Sequence, residues 1–167
     1  MSHIFETKKL VVRKLILSDL NKFHKMQSNL NVMKFVRGKA MTFDENEKEL
    51  QSLIKKYDSE ANDFWIYAIE LKHTKEFVGT VALVKYGEED EIGYRFMENF
   101  WGNGFGFEVV EGLLKYCKSV GFEKLVAFAA KKNIASTKIL KKLNFKYVKD
   151  TYAEDLKLEE RKFEFKL

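Results

Sequence analysis

Apolar and polar positions along this chain follow two rhythms, and the changes between them mark out the elements. Residues 10–15, LVVRKL, form a short strand-like run; from Ser18, placed as an N-cap, Leu20, Phe23, Met26 and Leu30 recur at helical spacing. Residues 41–60 place Leu50, Leu53, Ile54 and Tyr57 at i, i+3, i+4 and i+7, with Asp44 as N-cap and Glu47 three residues on. The period then shortens to two. Runs at 64–71, 77–84 and 91–96 are separated by short charged turns, which predicts an antiparallel meander. A glycine-rich stretch opens a helix reaching about Val120. A strand at 124–130, a helix at 133–143 and two closing strands at 145–150 and 158–167 follow. In the last run Phe163, Phe165 and Leu167 alternate with Lys162, Glu164 and Lys166, the mark of a strand with one wet face. Strands on both sides of each late helix make the class α/β (α+β), built on one mixed sheet.

Composition narrows the possibilities. The 167 residues, 46% of them hydrophobic, suit one domain over 1–167, and no proline, Gly/Ser linker or repeat marks a boundary. No apolar run approaches the ~18 residues needed to cross a bilayer, and the opening MSHIFETKKLVVRK lacks a signal-peptide layout, so a cytoplasmic protein without membrane partners is expected. The net charge is +5, but only Arg13, Arg37, Arg95 and Arg161 supply guanidinium groups, which argues against nucleic-acid readout. Cys117 falls in register with Val110, Leu113 and Leu114 and reads as core. His3, His24 and His73 have no metal-ligand spacing, so no metal is expected.

The chemistry concentrates in residues 99–114, NFWGNGFGFEVVEGLL. A strand, a glycine-rich turn and a helix start, in that order, make an anion site, because the first-turn amides lack intrahelical partners and carry the positive end of the helix dipole. Gly102, Gly104 and Gly106 leave room for a phosphate to approach. Their even spacing matches neither the dinucleotide fingerprint nor a P-loop, and about four strands precede the loop where a Rossmann unit would have one.

The segments EIGYRFMENFWGNGFGFEVVEGLLKYC and NIASTKILKKLNF together resemble the GNAT superfamily of acetyl-CoA-dependent N-acetyltransferases, and within it the RimJ/RimL-type branch. The opening LVVRKLILSDLNKFHKMQSNLNVMKFV is similar to that branch's first strand and helix, and FWIYAIELKHTKEFVGTVAL to its central hairpin, so the likeness spans nearly the whole chain. Where most members carry Arg or Gln three residues before the aligned glycine, this chain has Trp101, as that branch commonly does.

The resemblance implies a GNAT-type fold with a mixed central sheet of about 6–7 strands flanked by about 4 helices. It implies that coenzyme A sets its pyrophosphate on the amides of Trp101, Gly102, Asn103, Gly104, Phe105, Gly106 and Phe107, and its pantetheine arm along Phe96 and Met97, where the sheet would splay. Asn133 and Ser136 of NIAS would meet the pantetheine amide and the thioester sulfur, while Asn133 equally fits a helix cap. Lys131, Lys132 and Lys138 would offset charge near the adenosine end. Acetyl transfer needs a neutral amine, a polarised carbonyl and help for the departing thiolate. The resemblance implies direct attack within a ternary complex, a backbone donor at Phe96–Met97, and a general base for which Glu91 is the first candidate, with Glu89 and Glu98 behind it. Many members carry a tyrosine four residues beyond the serine as general acid; here that position is Leu140, which leaves Ser136, Tyr147, Tyr152 or water. The acceptor would be a protein N-terminus or a small amine, selected by residues 31–43 and 151–160, and the protein a monomer or homodimer. The alternative is a non-catalytic acyl-CoA sensor or a basic nucleic-acid-associated module on the same fold.

Overall fold

The computed structural model describes residues 2–167. Eight strands form one sheet in the order β1-β2-β3-β4-β5-β6-β8-β7. They are β1 (His3–Glu6), β2 (Leu10–Lys14), β3 (Phe64–Leu71), β4 (Phe77–Tyr86), β5 (Glu89–Phe96), β6 (Lys124–Ala130), β7 (Lys146–Ala153) and β8 (Leu158–Lys166). Five helices complete the chain: α1 (Leu20–Gln27), α2 (Leu30–Met33), α3 (Phe43–Lys56), α4 (Phe105–Ser119) and α5 (Ile134–Lys142). Every neighbouring pair of strands is antiparallel except β5 and β6, which run parallel because α4 carries the chain back across the sheet.

Period-two alternation sorts each strand's side chains between two cores. On one face α4 and α5 cover Leu10, Ile69, Val81, Leu125 and Phe163. On the other, α1 and α3 bury Phe23, Met26, Leu50 and Leu53 against Ile66 and Ala68. Each such side chain stabilises the fold by about 1.5–3 kcal/mol. Cys117 is fully buried in the first core, and burial pushes its thiol up to about 12, so it stays protonated.

A buried ion cluster ties β2 and β3 to the start of α1. Arg13 on β2 donates from Nη1 and Nη2 to Asp19 at 2.9 Å each, and from Nε to Glu70 on β3 at 2.7 Å. All three residues are buried.

The structure moves several expected boundaries. Among the described residues there are eight strands and five α-helices, not six or seven and four; the added strand β1 is only four residues long and carries no period of its own. Ser18 caps no helix: it lies inside a 3-10 turn, Leu17–Asp19, shaped by Asp19, which accepts from Ile16 N at 2.9 Å. The first helix stops at Gln27 because Asn29 turns extended (φ −92°, ψ 113°) and its side chain accepts from Asn31 N at 2.9 Å. Leu30 therefore begins α2 and is exposed, instead of joining the α1 core face. The α3 cap is Thr42, not Asp44: Thr42 Oγ1 accepts from Glu45 N (3.2 Å) while Glu45 Oε2 accepts from Thr42 N (2.8 Å), a reciprocal capping box two residues earlier.

Candidate functional site

The parallel pair β5–β6 is the weak seam of the sheet, in ladder register only at Glu91↔Val126, which leaves an opening in the ladder along the rest of β5. Met97 N donates to Val78 O at 2.9 Å across the other edge. Strand alternation therefore turns the amides of Phe96, Tyr94 and Ile92 toward the opening. Of the expected pair of backbone donors, Phe96 keeps a free amide and Met97 does not; the Met97 side chain is buried in the α1–α3 core.

At the mouth of this opening lies the glycine loop. Trp101 N donates to Glu98 O at 3.1 Å, so the run of available amides starts one residue later than expected, at Gly102. Among the described residues no acceptor is bonded to the main-chain NH of residues 102–107. Gly102 (φ +79°) and Gly104 (φ +77°) adopt the left-handed backbone, with no atom within 4 Å of where a Cβ would stand. Gly106 differs. A Cβ there would meet Ile139 Cδ1 at 2.9 Å and Tyr94 Cε2 at 3.1 Å, so this glycine lets α4 close against α5 and β5 and does not serve phosphate approach. Trp101 Nε1 donates to Phe96 O at 2.9 Å, and Asn103 Nδ2 to Phe100 O at 2.9 Å, which pins the loop to the end of β5.

The α5 N-terminus forms the opposite wall. Asn133 Oδ1 accepts from Ser136 N at 3.2 Å, so the capping role is realised. Burial pushes the titration of the Tyr94 phenol up, and the nearby Ser136 side chain offsets part of that rise. Leu140 is core, 2% exposed. Tyr147 donates instead to Asp150 (3.0 Å) on the exposed strand β7, and Tyr152 is exposed on the same strand. Tyr94, passed over in the sequence reading, is the tyrosine that β5 directs toward α4, near Gly106; its period-two register with Ile92 and Phe96 was the available signal.

The three acidic candidates separate, Glu89 and Glu91 on the far face of β5 and Glu98 in the turn that follows it. Glu89 is held by Lys162 Nζ (2.6 Å) and Lys124 Nζ (3.5 Å), and the first of these lowers its carboxyl, leaving it a poor base. Both oxygens of Glu98 accept amide protons, from Asn29 (2.6 Å) and Asn31 (3.1 Å). Glu91 has no such partner: burial, with the Glu160 carboxylate nearby, raises it to about 7. The lysines divide as well. Lys131 bonds Asp150 at 2.8 Å and Glu159 at 3.4 Å, so its charge is spoken for, while Lys132 and Lys138 are exposed.

Residues 9–146 match the family model described as Acetyltransferase (GNAT) domain. An uncharacterised N-acetyltransferase, YoaA, of Bacillus subtilis (strain 168) is 28% identical over 150 residues, 87% of this chain and 84% of its own. Among solved structures, the ribosomal α-N-protein acetyltransferase RimL in complex with coenzyme A superposes with a TM-score of 0.83 at 16% identity, over 99% of this chain and 98% of that one. The microcin self-immunity acetyltransferase MccE, in complex with acetyl-CoA and AMP, gives 0.80 at 13% identity over 96% and 93%. At those identities the two structures speak for the fold. No helix among the described residues is long and apolar enough to cross a membrane.

Proposed function

The chain belongs to the GNAT acetyltransferase family, and from that premise we propose that it moves an acetyl group from acetyl-CoA to a primary amine by direct attack. Acetyl-CoA supplies the activated acetyl as a thioester, and the observation that carries the reading is the unpaired run of amides at residues 102–107, set at the mouth of the β5–β6 opening. Gly102, Asn103, Gly104, Phe105 and Phe107 present main-chain NH groups to a pyrophosphate, with the α4 dipole behind them. Phe96 and Tyr94 offer backbone amides along the opening, where a carbonyl oxygen gaining charge would be stabilised. Glu91, titrating near 7, takes the proton released by the attacking nitrogen. The hydroxyl of Ser136 or of Tyr94, whose side chains lie near one another, gives a proton to the sulfur. Lys138, exposed on α5, offsets charge at the adenosine end of the cofactor. The fold shared with RimL supports a protein N-terminus as acceptor; a small amine is the second candidate.

Calorimetry with acetyl-CoA tests this first. Wild type should bind; Gly104→Glu, which aims a carboxylate into the phosphate position, should not; Gly104→Ala, which carries the same backbone strain without the charge, should retain binding. Absence of wild-type binding, or equal binding by the Glu variant, overturns the reading. Binding without thiol release across an amine panel would favour an acyl-CoA sensor.

A further inference from the structure

Tyr86 and Phe128 meet edge to face, with ring centres 5.7 Å apart and planes at 70°. Their strands are not neighbours: Tyr86 is on β4, Phe128 on β6, and β5 runs between them. Ladder register fixes where along β5 the rings meet. Tyr86 stands opposite Glu89, and Phe128 lies two residues beyond Val126, the partner of Glu91, which sets it level with Gly93. At ~3.3 Å per residue and ~4.8 Å per strand, the two Cα atoms are about 16 Å apart. Each ring therefore leans over β5 toward the other, and the middle of that span is Glu91. Gly93 contributes no side chain to obstruct Phe128.

Strand alternation puts these residues on one face. Val84 on β4 and Val126 on β6 flank Glu91 directly, and Tyr86 and Phe128 follow them by two residues each. Neither ring belongs to the two cores, and Tyr86 is 61% exposed, so the pair closes over β5 from the solvent side. The charges on this face are known strand by strand. On β5, Glu89 is held by Lys162 and Lys124, and Arg95 donates to Gln27. Beside Glu91, β4 presents only Val84 and Tyr86; β6 presents Lys124, and β8 presents Glu160, Lys162, Glu164 and Lys166. Of these, Glu160 acts on Glu91 in the same direction as burial, which is the larger cause of its raised titration.

We propose that Tyr86 and Phe128 are positioning residues that close an aromatic clamp over Glu91, keep water from its carboxyl, and form the wall against which an apolar substituent of the acceptor amine packs. The proposal rests on Glu91 as the base in the function proposed above. A dry carboxyl beneath two rings suits an amine with hydrocarbon beside its nitrogen, and the ring faces favour the cation in which that amine arrives.

Two measurements test it. The first needs no turnover. Carbon-13 NMR of δ-carboxyl-labelled glutamates, with the Glu91 signal identified by its loss in Glu91→Gln, follows the titration of that one group. The wild-type midpoint should lie at about 7; Tyr86→Ala and Phe128→Ala should each bring it down by about 1 pH unit or more, and Glu160→Gln by less. A midpoint unmoved in both ring variants overturns the proposal. Tyr86 stands at the exposed end of β4, so Tyr86→Ala alone decides the point if Phe128→Ala fails to fold. The second compares kcat/KM for peptides beginning with Leu and with Ala. Wild type should favour Leu about tenfold, and the ring variants should cut that ratio to about twofold through KM while acetyl-CoA affinity is unchanged. Equal use of the two peptides by wild type, or a preference that survives both ring substitutions, refutes the assignment. A midpoint that falls as expected with no turnover of any amine would leave the clamp standing and remove the transferase reading.

Discussion

Glu91→Gln should make this protein slower and more stable at the same time. The folded-state carboxyl sits at about 7 against an ordinary 4.5. Below pH 4.5 both folded and unfolded chains hold the proton, and stability is unaffected; between 4.5 and 7 the unfolded chain releases it and the folded one does not, so stability falls as pH rises; above 7 the loss is complete. At ~1.36 kcal/mol per pH unit that window amounts to about 3 kcal/mol, and partial exposure of the side chain brings the expectation to about 2 kcal/mol. Glutamine removes the ionisation with little change of shape. Urea unfolding at pH 5 and pH 8 should show the variant gaining little at the first and about 2 kcal/mol at the second. In steady-state assays with an acceptor amine whose own pKa lies below 6, wild-type kcat/KM should rise through an apparent pKa near 7. The variant should lose that limb and about 10²–10⁴ in rate. A variant with the wild-type pH profile and unchanged stability at pH 8 would refute both the base assignment and the desolvation behind it.

Three further outcomes follow from the geometry. Tyr94→Phe removes the phenol near Ser136 and should lower kcat about 10²-fold, the modest end for proton transfer because a thiolate leaves readily, with acetyl-CoA affinity by calorimetry unchanged; an unaltered kcat returns the proton to Ser136 or water. Gly106→Ala should be nearly neutral, since a helix-propensity gain of about 1 kcal/mol offsets a 2.9 Å contact with the flexible end of Ile139; Gly106→Val should cost about 2–3 kcal/mol in thermal or urea unfolding and weaken acetyl-CoA binding. Asp19→Ala strips Arg13 of its bidentate partner while leaving Glu70, and should cost about 3 kcal/mol in urea unfolding; a loss below about 1 kcal/mol would show the cluster to be dispensable.

What the sequence disclosed and what it withheld divide along a physical line. Local features were legible: the meander, the α4 start at the glycine loop, the Asn133 cap and the burial of Cys117 each depend on residues within a few positions of one another. Features set by distant partners were not. Gly104 and Gly106 look alike in the chain, yet one sits at positive φ in open space and the other against Ile139. Glu89 and Glu91 look alike too, and only Lys162, 73 residues from Glu89, tells them apart. The amide of Met97 is lost to Val78, and the charge of Lys131 to Asp150 and Glu159, through pairings that no spacing announces. Thr42 and Asp44 were both legal caps, and the structure uses the one whose partner at N3 is a glutamate able to reach back.

The interposition of β8 between β6 and β7 bears on how the chain is made. Synthesis delivers β6 first, then α5 and β7, and only afterwards the strand that both must pair with. Twenty-seven residues separate Ala130 from Leu158, which at ~5–20 residues per second leaves β6 with a bare edge for roughly 1–5 s. That edge is KLVAFAA, apolar at six of seven positions, the kind of strand that recruits a stranger when its own neighbour is late. Expression at high ribosome density should therefore favour inclusion bodies, while co-expressed chaperones that shield nascent apolar strands should raise the soluble yield.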